Sequence, residues 1–284
     1  MNPPKILHLY WNEGPMSELQ TLTVTTFHQL NPDWRIMVYV PTQAYDGNYR
    51  SANLTHIQDY VGRDFFHVVK GMPYVNITKI NLDSYNIPRD IHDILRSDIF
   101  RYHILRENGG VWSDFDVLWL RPMSHLKDIE CIGKVGMSKA GATACLRHMV
   151  SGWHNISVLI SQPDHPLYSE LIRTCNDLIK NKTVAFEHQE FGTSMWNKLY
   201  PNLEALNSRF PDVVGLKYET FFPYPIDNGN MDLLYLQTDL SVINDNVMCA
   251  HWFNGHRLSK EYINAPVWQE CSMTELRRQY GGGR

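Results

Sequence analysis

The stretch from residue 88 to residue 120 constrains the fold more than any other part of the sequence. Apolar side chains recur there with the spacing of one helical face, and Asp98 and Arg101 share that face. A buried carboxylate and a buried guanidinium are costly unless they pair with each other or with a ligand. Gly109 and the glycine after it permit the left-handed backbone that ends a helix. The sequence therefore predicts a largely buried helix that begins at Pro88 and stops at these glycines.

The segment after the glycines predicts an interior strand that is interrupted by two acidic residues. Residues 111–120 are too apolar for a surface loop, yet they contain Asp114 and Asp116. Residues i and i+2 of an extended chain point to the same side, so two carboxylates would share one small volume. Two such anions repel each other unless a cation separates them or one is protonated. A solvated turn is the other interpretation of Asp-x-Asp, but the apolar flanks favour a site for Mn²⁺ or Mg²⁺.

The run SDIFRYHILRENGGVWSDFDV, residues 97–117, resembles the DXD-containing sugar transferases of glycosyltransferase family 32. The yeast initiating mannosyltransferases and the α-1,4-galactosyl- and N-acetylglucosaminyltransferases belong to that family. The glucosylating domains of large clostridial toxins share its pattern. The matching residues here are Ser97, Asp98, Arg101, Gly109, Gly110, Trp112, Asp114 and Asp116. Trp112 is a departure, because tyrosine is more usual at that place.

The resemblance implies an α/β fold of the GT-A type, with a mostly parallel central sheet flanked by helices. The start of the chain supports it with a β-α-β rhythm: a strand at 5–11, a helix that Ser17-x-x-Gln20 caps, and a strand at 34–40. We expect one domain over residues 1–284. Its residues 1–120 would form the nucleotide-sugar-binding half that ends in the two aspartates. Residues 121–270 would supply the acceptor side and a closing C-terminal segment.

The resemblance also implies roles for the central residues. Asp116 is expected to contact the metal directly, and Asp114 to reach the metal or the ribose. Asp98 and Arg101 are expected to hold the ribose and the sugar hydroxyls, with Arg101 also neutralising phosphate charge. Trp112 is expected to stack on the ribose or the sugar.

Residues far from this stretch complete the predicted site. In the resembling family an aromatic residue at the end of the first strand stacks on uracil, and Trp11 with its neighbour Tyr10 takes that place. Asn155 is expected near the donor sugar. His251 is expected on a tail that closes over the metal and the diphosphate. From the residues alone, core packing of Trp11, a strand-end hydrogen bond of Asn155 and a core histidine at 251 remain open.

Composition argues against nucleic-acid binding and favours a particular cellular compartment. The net charge of −4 and the lack of a dense Lys/Arg run argue against a nucleic-acid surface. Five cysteines without a C-x-x-C pair favour a reducing, cytoplasmic location. No stretch approaches the ~20 apolar residues of a membrane span. A lumenal location is the alternative if a membrane anchor has been removed from the chain.

The predicted function is therefore a metal-dependent hexosyl- or pentosyltransferase. It would move a sugar from a nucleotide-diphosphate donor, with a UDP-sugar favoured, to a hydroxyl of a glycan acceptor. Retention of the anomeric configuration by front-face attack is expected, and a glycosyl adduct on Glu190 or Asp227 would contradict it. A nucleotide-sugar hydrolase and a catalytically idle carbohydrate-binding domain are the alternatives.

Overall fold

The computed structural model describes residues 1–43, 60–133, 136–147, 154–181, 185–226 and 229–281. Asp227 lies outside these residues. The strands are β1 Ile6–Tyr10, β2 Arg35–Pro41, β3 Val75–Ile80, β4 Gly110–Ser113, β5 Val117–Trp119, β6 Cys131–Ile132, β7 Ala142–Leu146, β8 His154–Asn155, β9 Val158–Ser161, β10 Val213–Lys217 and β11 Cys249–His251. The helices are α1 Glu18–Leu30, α2 Phe66–Gly71, α3 Asp93–Asn108, α4 Pro166–Asn181, α5 Thr193–Leu199, α6 Leu203–Arg209, α7 Asn230–Tyr235, α8 Arg257–Asn264 and α9 Ser272–Tyr280.

The described strands form a nine-stranded sheet and a separate two-stranded sheet. The large sheet has the order β3-β2-β1-β4-β9-β7-β10-β6, with β8 paired to β7. Its long ladders, among them β1 with β2 and β2 with β3, are parallel, whereas β9 runs antiparallel to β4. The predicted α/β class with a mostly parallel sheet between helices is confirmed.

Successive side chains of β4 enter different apolar clusters, which shows that both faces of the sheet are covered. Val111 packs in the cluster that includes Val24 and Phe27 of α1. Trp112 packs in the cluster that includes Leu95 of α3 and leucines of α4. Burial on both faces is the usual environment of a strand in a helix-covered sheet. The residues that follow β4 are therefore attached to a strand that is packed on both faces.

The predicted interior strand is two strands that belong to different sheets. β4 pairs with β1 in the large sheet, and β5 pairs with β11 in the small one. The chain leaves one sheet and enters the other at Asp114–Asp116. The predicted interruption is thus confirmed, and it is the point at which the two sheets meet.

Local signals at helix ends are confirmed in part. Ser17 and Gln20 form the predicted capping box of α1, and the amide of Gln20 donates to Ser17 Oγ over 3.3 Å. α3 ends at Gly109 with a φ of 60°, as predicted. Its predicted start at Pro88 is wrong, because the helix begins at Asp93, where His92 accepts the amide of Ile94. The capping bond at residue 92 fixes the first turn.

In the described part of the chain, no helix is long and apolar enough to be a membrane-crossing candidate.

Candidate functional site

A cavity of about 760 Å³ opens where β1 and β4 end, at the carboxyl edge of the parallel strands. Open α/β sheets bind their ligands at this edge because the helices and loops diverge there. The cavity is lined by every residue that the sequence predicts for the site: Tyr10, Trp11, Asp98, Arg101, Trp112, Asp114, Asp116, Asn155 and His251. Their placement in one cavity brings together residues from both halves of the chain.

Three hydrogen bonds to main-chain groups of the turn between β4 and β5 anchor it to the rest of the fold. The amide of Asp114 donates to the carbonyl of Ser157 over 2.9 Å. The hydroxyl of Thr23 on α1 donates to the carbonyl of Phe115 over 2.8 Å. The amide of Trp252 donates to the carbonyl of Asp116 over 2.9 Å. The two carboxylates are therefore held in place by main-chain contacts that do not use their own oxygens.

His251 reaches the two aspartates because β11 pairs antiparallel with β5, with His251 opposite Val117. One ligand atom from each of Asp114, Asp116 and His251 lies within 4.8 Å of the other two. Two carboxylate oxygens and an imidazole nitrogen suit a divalent ion such as Mn²⁺. The residues present therefore fit the metal that the Asp-x-Asp pattern predicts.

The hydrogen bonds of His251 define its tautomer. The amide of Phe253 donates to Nδ1 over 3.2 Å, so the neutral ring carries its proton on Nε2. Nε2 lies 3.0 Å from Asp116 Oδ1 and donates to it. Coordination through Nε2 requires the other tautomer, so the bond from Phe253 has to open when His251 becomes a ligand.

Arg101 links the helix to the first aspartate of the pair. Its guanidinium lies 2.6 Å from Asp98 Oδ1 and 3.4 Å from Asp114 Oδ1, and it donates to the carbonyl of Ile156 over 2.7 Å. It also lies 5.0 Å from the centre of the Trp112 ring. The pair that the sequence places on one face of α3 is thus a buried bridge from the helix to the β4–β5 turn.

Burial and neighbouring charges shift the pKa values of the carboxyls in different directions. Burial raises the pKa of Asp98 to about 7, although Arg101 acts in the opposite direction. Burial also raises the pKa of Asp114, and Asp116 adds to this effect while Arg101 opposes it. For Asp116, burial acts upward, but His251 and the amide of Asn254 hold the pKa below its usual value. Carboxyls with diverging pKa values in one cleft are typical of functional sites.

At the other end of the cavity, Tyr10 and Trp11 are held by hydrogen bonds. The hydroxyl of Tyr10 donates to Asp93 over 3.1 Å, and the indole of Trp11 donates to the carbonyl of Gly14 over 2.9 Å. Trp11 is half-buried and packs edge-on against Phe115, with ring centroids 5.2 Å apart. Part of the Trp11 ring therefore remains available to the cavity.

Trp112 and Asn155, both predicted to contact the donor, also make hydrogen bonds within the protein. Trp112 is 1 % exposed, so its ring offers little surface on which a sugar could stack, and its indole instead donates to Asp114 over 3.1 Å. Asn155 accepts the amide of Ser157 over 2.8 Å at the end of β8, which is the strand-end bond left open above. Both side chains line the cavity, but their described contacts position protein groups.

The sequence analysis missed several residues that line the cavity. Asp93 and Asn12 meet beside Trp11, and Gln189 lies at the wall with a φ of 62°. Arg147 and Tyr218 belong to the same wall. Asp93 follows the helix-capping His92 and could have been found as a first-turn acid, whereas Gln189 carries no local signal that would distinguish it.

Comparisons with known proteins place the central stretch in a sequence family. Residues 17–133 match the family described as "Glycosyltransferase sugar-binding region containing DXD motif". This match agrees with the family predicted from residues 97–117. No curated protein sequence matches the chain.

Among solved structures, similar chains include three that are reported as glycosyltransferases or toxin domains. The galactosyltransferase LgtC in complex with donor and acceptor sugar analogs has 13% identity and a TM-score of 0.48, covering 98% of this chain and 97% of its own. The UDP-bound glycosyltransferase domain of the YGT toxin has 12% identity and a TM-score of 0.37, with coverages of 74% and 70%. The catalytic domain of alpha-toxin from Clostridium novyi has 13% identity and a TM-score of 0.39, with coverages of 70% and 60%.

Proposed function

The chain is a glycosyltransferase whose residues 17–133 belong to the DXD-containing family, and from this premise we propose that it is a metal-dependent, retaining enzyme that uses a UDP-sugar. The acceptor would be a hydroxyl group of a glycan or glycoconjugate. The convergence of Asp114, Asp116 and His251 in the cavity that also contains Trp11 carries this proposal. A divalent ion held by these three residues would lie in the same cleft as the aromatic ring of Trp11.

The metal would be held by Asp114, Asp116 and His251, and Mn²⁺ or Mg²⁺ suits these ligands. When bound, such an ion neutralises the negative charge that develops on a departing diphosphate. Arg101 adds a fixed positive charge beside Asp114. Because Arg101 is buried and bonded to Asp98 and Ile156, it keeps its place without reorganising during the reaction.

The remaining residues would bind and orient the donor. Trp11 supports the base, and the Asp98–Arg101 pair lies where ribose or sugar hydroxyls could be held. Trp112 acts as a positioning residue, because its indole fixes Asp114. The division of the chain into a donor half at 1–120 and an acceptor half at 121–270 is part of the same proposal.

Given retention, we expect front-face attack, because the carboxyls that line the cavity are all engaged by other protein groups. Among the described residues, the acidic side chains that line it are Asp93, Asp98, Asp114 and Asp116. Each of them is engaged by hydrogen bonds or ion pairs with protein groups. Glu190 does not belong to the lining, and its carboxylate accepts the amide of Glu187. A departing phosphate oxygen that takes the proton of the acceptor hydroxyl needs no protein nucleophile.

The test combines calorimetry with a transfer assay. Wild type is titrated with UDP- and GDP-sugars in the presence of Mn²⁺, with and without a chelator, and sugar transfer to glycan acceptors is measured. We expect binding heat that disappears on chelation, and a loss of turnover of about a hundredfold or more in Asp116→Asn, because a charge-stabilising group is removed. Asp245→Asn is the matched control, since Asp245 is 93% exposed and pairs with Arg121.

The alternatives give different results in the same test. Free sugar that is released at the same rate with and without acceptors would identify a hydrolase. An unchanged turnover in Asp116→Asn, or no chelator-sensitive binding of any nucleotide sugar, would contradict the proposal.

A further inference from the structure

α3 forms one wall of the cavity, and the distance along this helix can be compared with the length of a bound nucleotide donor. Residues 93, 94, 97, 98 and 101 line the cavity and have the spacing of one side of a helix. Asp93 and Arg101 are eight residues apart, which corresponds to about 12 Å along the helix axis. Arg101 marks the end beside Asp114, where a diphosphate would lie under the proposed function. Asp93 then marks the end at which the base would lie.

Asp93 is held rigidly but keeps one acceptor site. Its Oδ1 accepts from the hydroxyl of Tyr10 over 3.1 Å and from the guanidinium of Arg96 over 2.9 Å. Its Oδ2 accepts from the amide of Asn12 over 3.2 Å. A carboxylate has about four acceptor sites, so the contacts of the described residues leave one on Oδ2. The side chain of Asp93 is 15% exposed and lines the cavity, so this site is accessible to a ligand.

Asn12 supplies a donor next to that acceptor. Its Oδ1 accepts the amide of Gly14 over 3.1 Å, which fixes the orientation of the side-chain amide. Its Nδ2 carries two hydrogens, and one of them goes to Asp93. Asn12 directly follows Trp11, so the second hydrogen and the Asp93 acceptor lie beside the aromatic residue proposed to stack on the base.

We propose that Asp93 and Asn12 select a base that carries a ring N–H next to a carbonyl. This inference rests on the proposed use of a nucleotide-diphosphate donor and names its base class. The N3–H and O4 of uracil, or the N1–H and O6 of guanine, match the acceptor on Asp93 and the donor on Asn12. Cytosine and adenine present the reverse pattern, a ring nitrogen that accepts next to an amino group that donates. Their ring nitrogen would face a carboxylate, and both groups would lose their partner.

Arg96 explains why the carboxylate can discriminate. Its side chain is 0% exposed, and it donates to the carbonyl of Gln43 over 2.9 Å in addition to Asp93. A carboxylate that is clamped by a buried guanidinium does not rotate to suit another base. A site built around a required N–H rejects analogues that lack it, because its own polar group remains unpaired.

The experiment measures the affinities of UDP, GDP, CDP and ADP by calorimetry in the presence of Mn²⁺. Wild type is expected to bind UDP or GDP about tenfold or more tightly than CDP and ADP, because the hydrogen bonds to Asp93 and from Asn12 are both lost with the latter two. The UDP and GDP titrations show which base is used. N3-methyl-UDP, which lacks the ring N–H, is expected to bind UDP-selective wild type as weakly as CDP does.

Two variants assign the effect to these side chains. Asp93→Asn and Asn12→Ala are expected to reduce the preference for the keto base over CDP by about tenfold each. Because the preference is a ratio within one sample, partial unfolding of a variant changes both affinities equally. Asp83→Asn is the matched control, since Asp83 pairs with Arg89 and does not line the cavity, and its preference should equal that of wild type.

The outcomes separate this inference from the proposed function. Equal affinities for UDP and CDP in wild type would overturn it while the transferase proposal stands. A uniform loss for all four nucleotides in Asp93→Asn would show a ribose contact and overturn it too. If none of the four binds in the presence of metal, the proposed function itself fails, and the inference fails with it.

Discussion

The carboxyl end of α3 and its middle both contact buried polar side chains, but the two regions differ in charge. At its carboxyl end, His8 accepts the hydroxyl of Tyr39 at Nδ1 and donates from Nε2 to the carbonyl of Gly109, each over 2.9 Å. This group is neutral, and each of its hydrogen-bonding atoms has a protein partner. In the middle of the helix, Asp98 and Arg101 face Asp114 and, beyond it, Asp116.

The difference separates buried polar groups that hold the fold from those that bind a ligand. His8 is 1% exposed and Asp98 is 5% exposed, so burial alone does not distinguish them. The cluster around Arg101 contains more carboxyls than fixed cations, and an added cation would offset this excess. Around His8, an added charge would break a hydrogen bond. Unbalanced charge, more than burial, marks the site.

The largest effect is expected from removing the cation between the carboxyls. Arg101→Met leaves Asp98 buried without its counter-charge, so the free energy of unfolding should fall by about 3–5 kcal/mol. Chemical denaturation measures it. Arg106→Met is the control on the same helix, because Arg106 is 36% exposed and its loss should cost less than about 0.5 kcal/mol. Equal stability of the two variants would show that Arg101 does not offset a buried negative charge. The proposed difference in charge between the two regions of α3 would then be wrong.

A smaller, pH-dependent effect is expected at the neutral end. Burial lowers the pKa of His8 to about 4 from its ordinary value of 6.5. The unfolded chain therefore binds a proton between pH 6.5 and pH 4 that the folded chain does not bind. Above pH 6.5, protonation of His8 does not reduce the free energy of unfolding. As the pH drops from 6.5 toward 4, proton uptake by the unfolded chain lowers the free energy of unfolding by about 3 kcal/mol.

His8→Gln isolates this contribution from other titrating groups. The difference in unfolding free energy between variant and wild type, measured from pH 7 to pH 4, should shrink toward low pH by about that amount. A constant difference across this range would show that His8 has the same pKa in the folded and the unfolded chain. That result would remove the contrast between the neutral carboxyl end of α3 and its charged middle.

The smallest effect on stability is expected from Trp112→Phe, which also tests the charged region through its Mn²⁺ affinity. Trp112→Phe keeps the buried ring but removes the N–H that donates to Asp114. We expect about 1 kcal/mol of destabilisation and a Mn²⁺ affinity that is about tenfold weaker, because an orienting bond to a ligand is lost.

Trp119→Phe is the control for this variant. Trp119 is equally buried, and its Nε1 has no hydrogen-bond partner among the described residues. Its substitution should leave Mn²⁺ affinity unchanged. Equal metal affinities in wild type and Trp112→Phe would show that Trp112 contributes only to packing and does not orient Asp114.

Sequence patterns were sufficient where the structure depends on neighbours in the chain. The capping box at Ser17 and the helix stop at Gly109 follow from local hydrogen bonds and from the freedom of glycine at positive φ. The interruption of the strand at Asp114 was also visible locally. The sequence analysis predicted no strand at β3, whose conformation depends on its pairing with β2.

By itself, the sequence determined the class of fold, the family of its central stretch and the pair of aspartates. Their signals are periodicity, capping and spacing, and each acts over a few residues. Only the tertiary structure decided that His251 lies beside Asp116, that Trp112 is enclosed, and that Asp93 meets Asn12. These contacts join residues that are distant along the chain. Strand register and packing fix them. No local sequence pattern encodes which distant partner a side chain will meet.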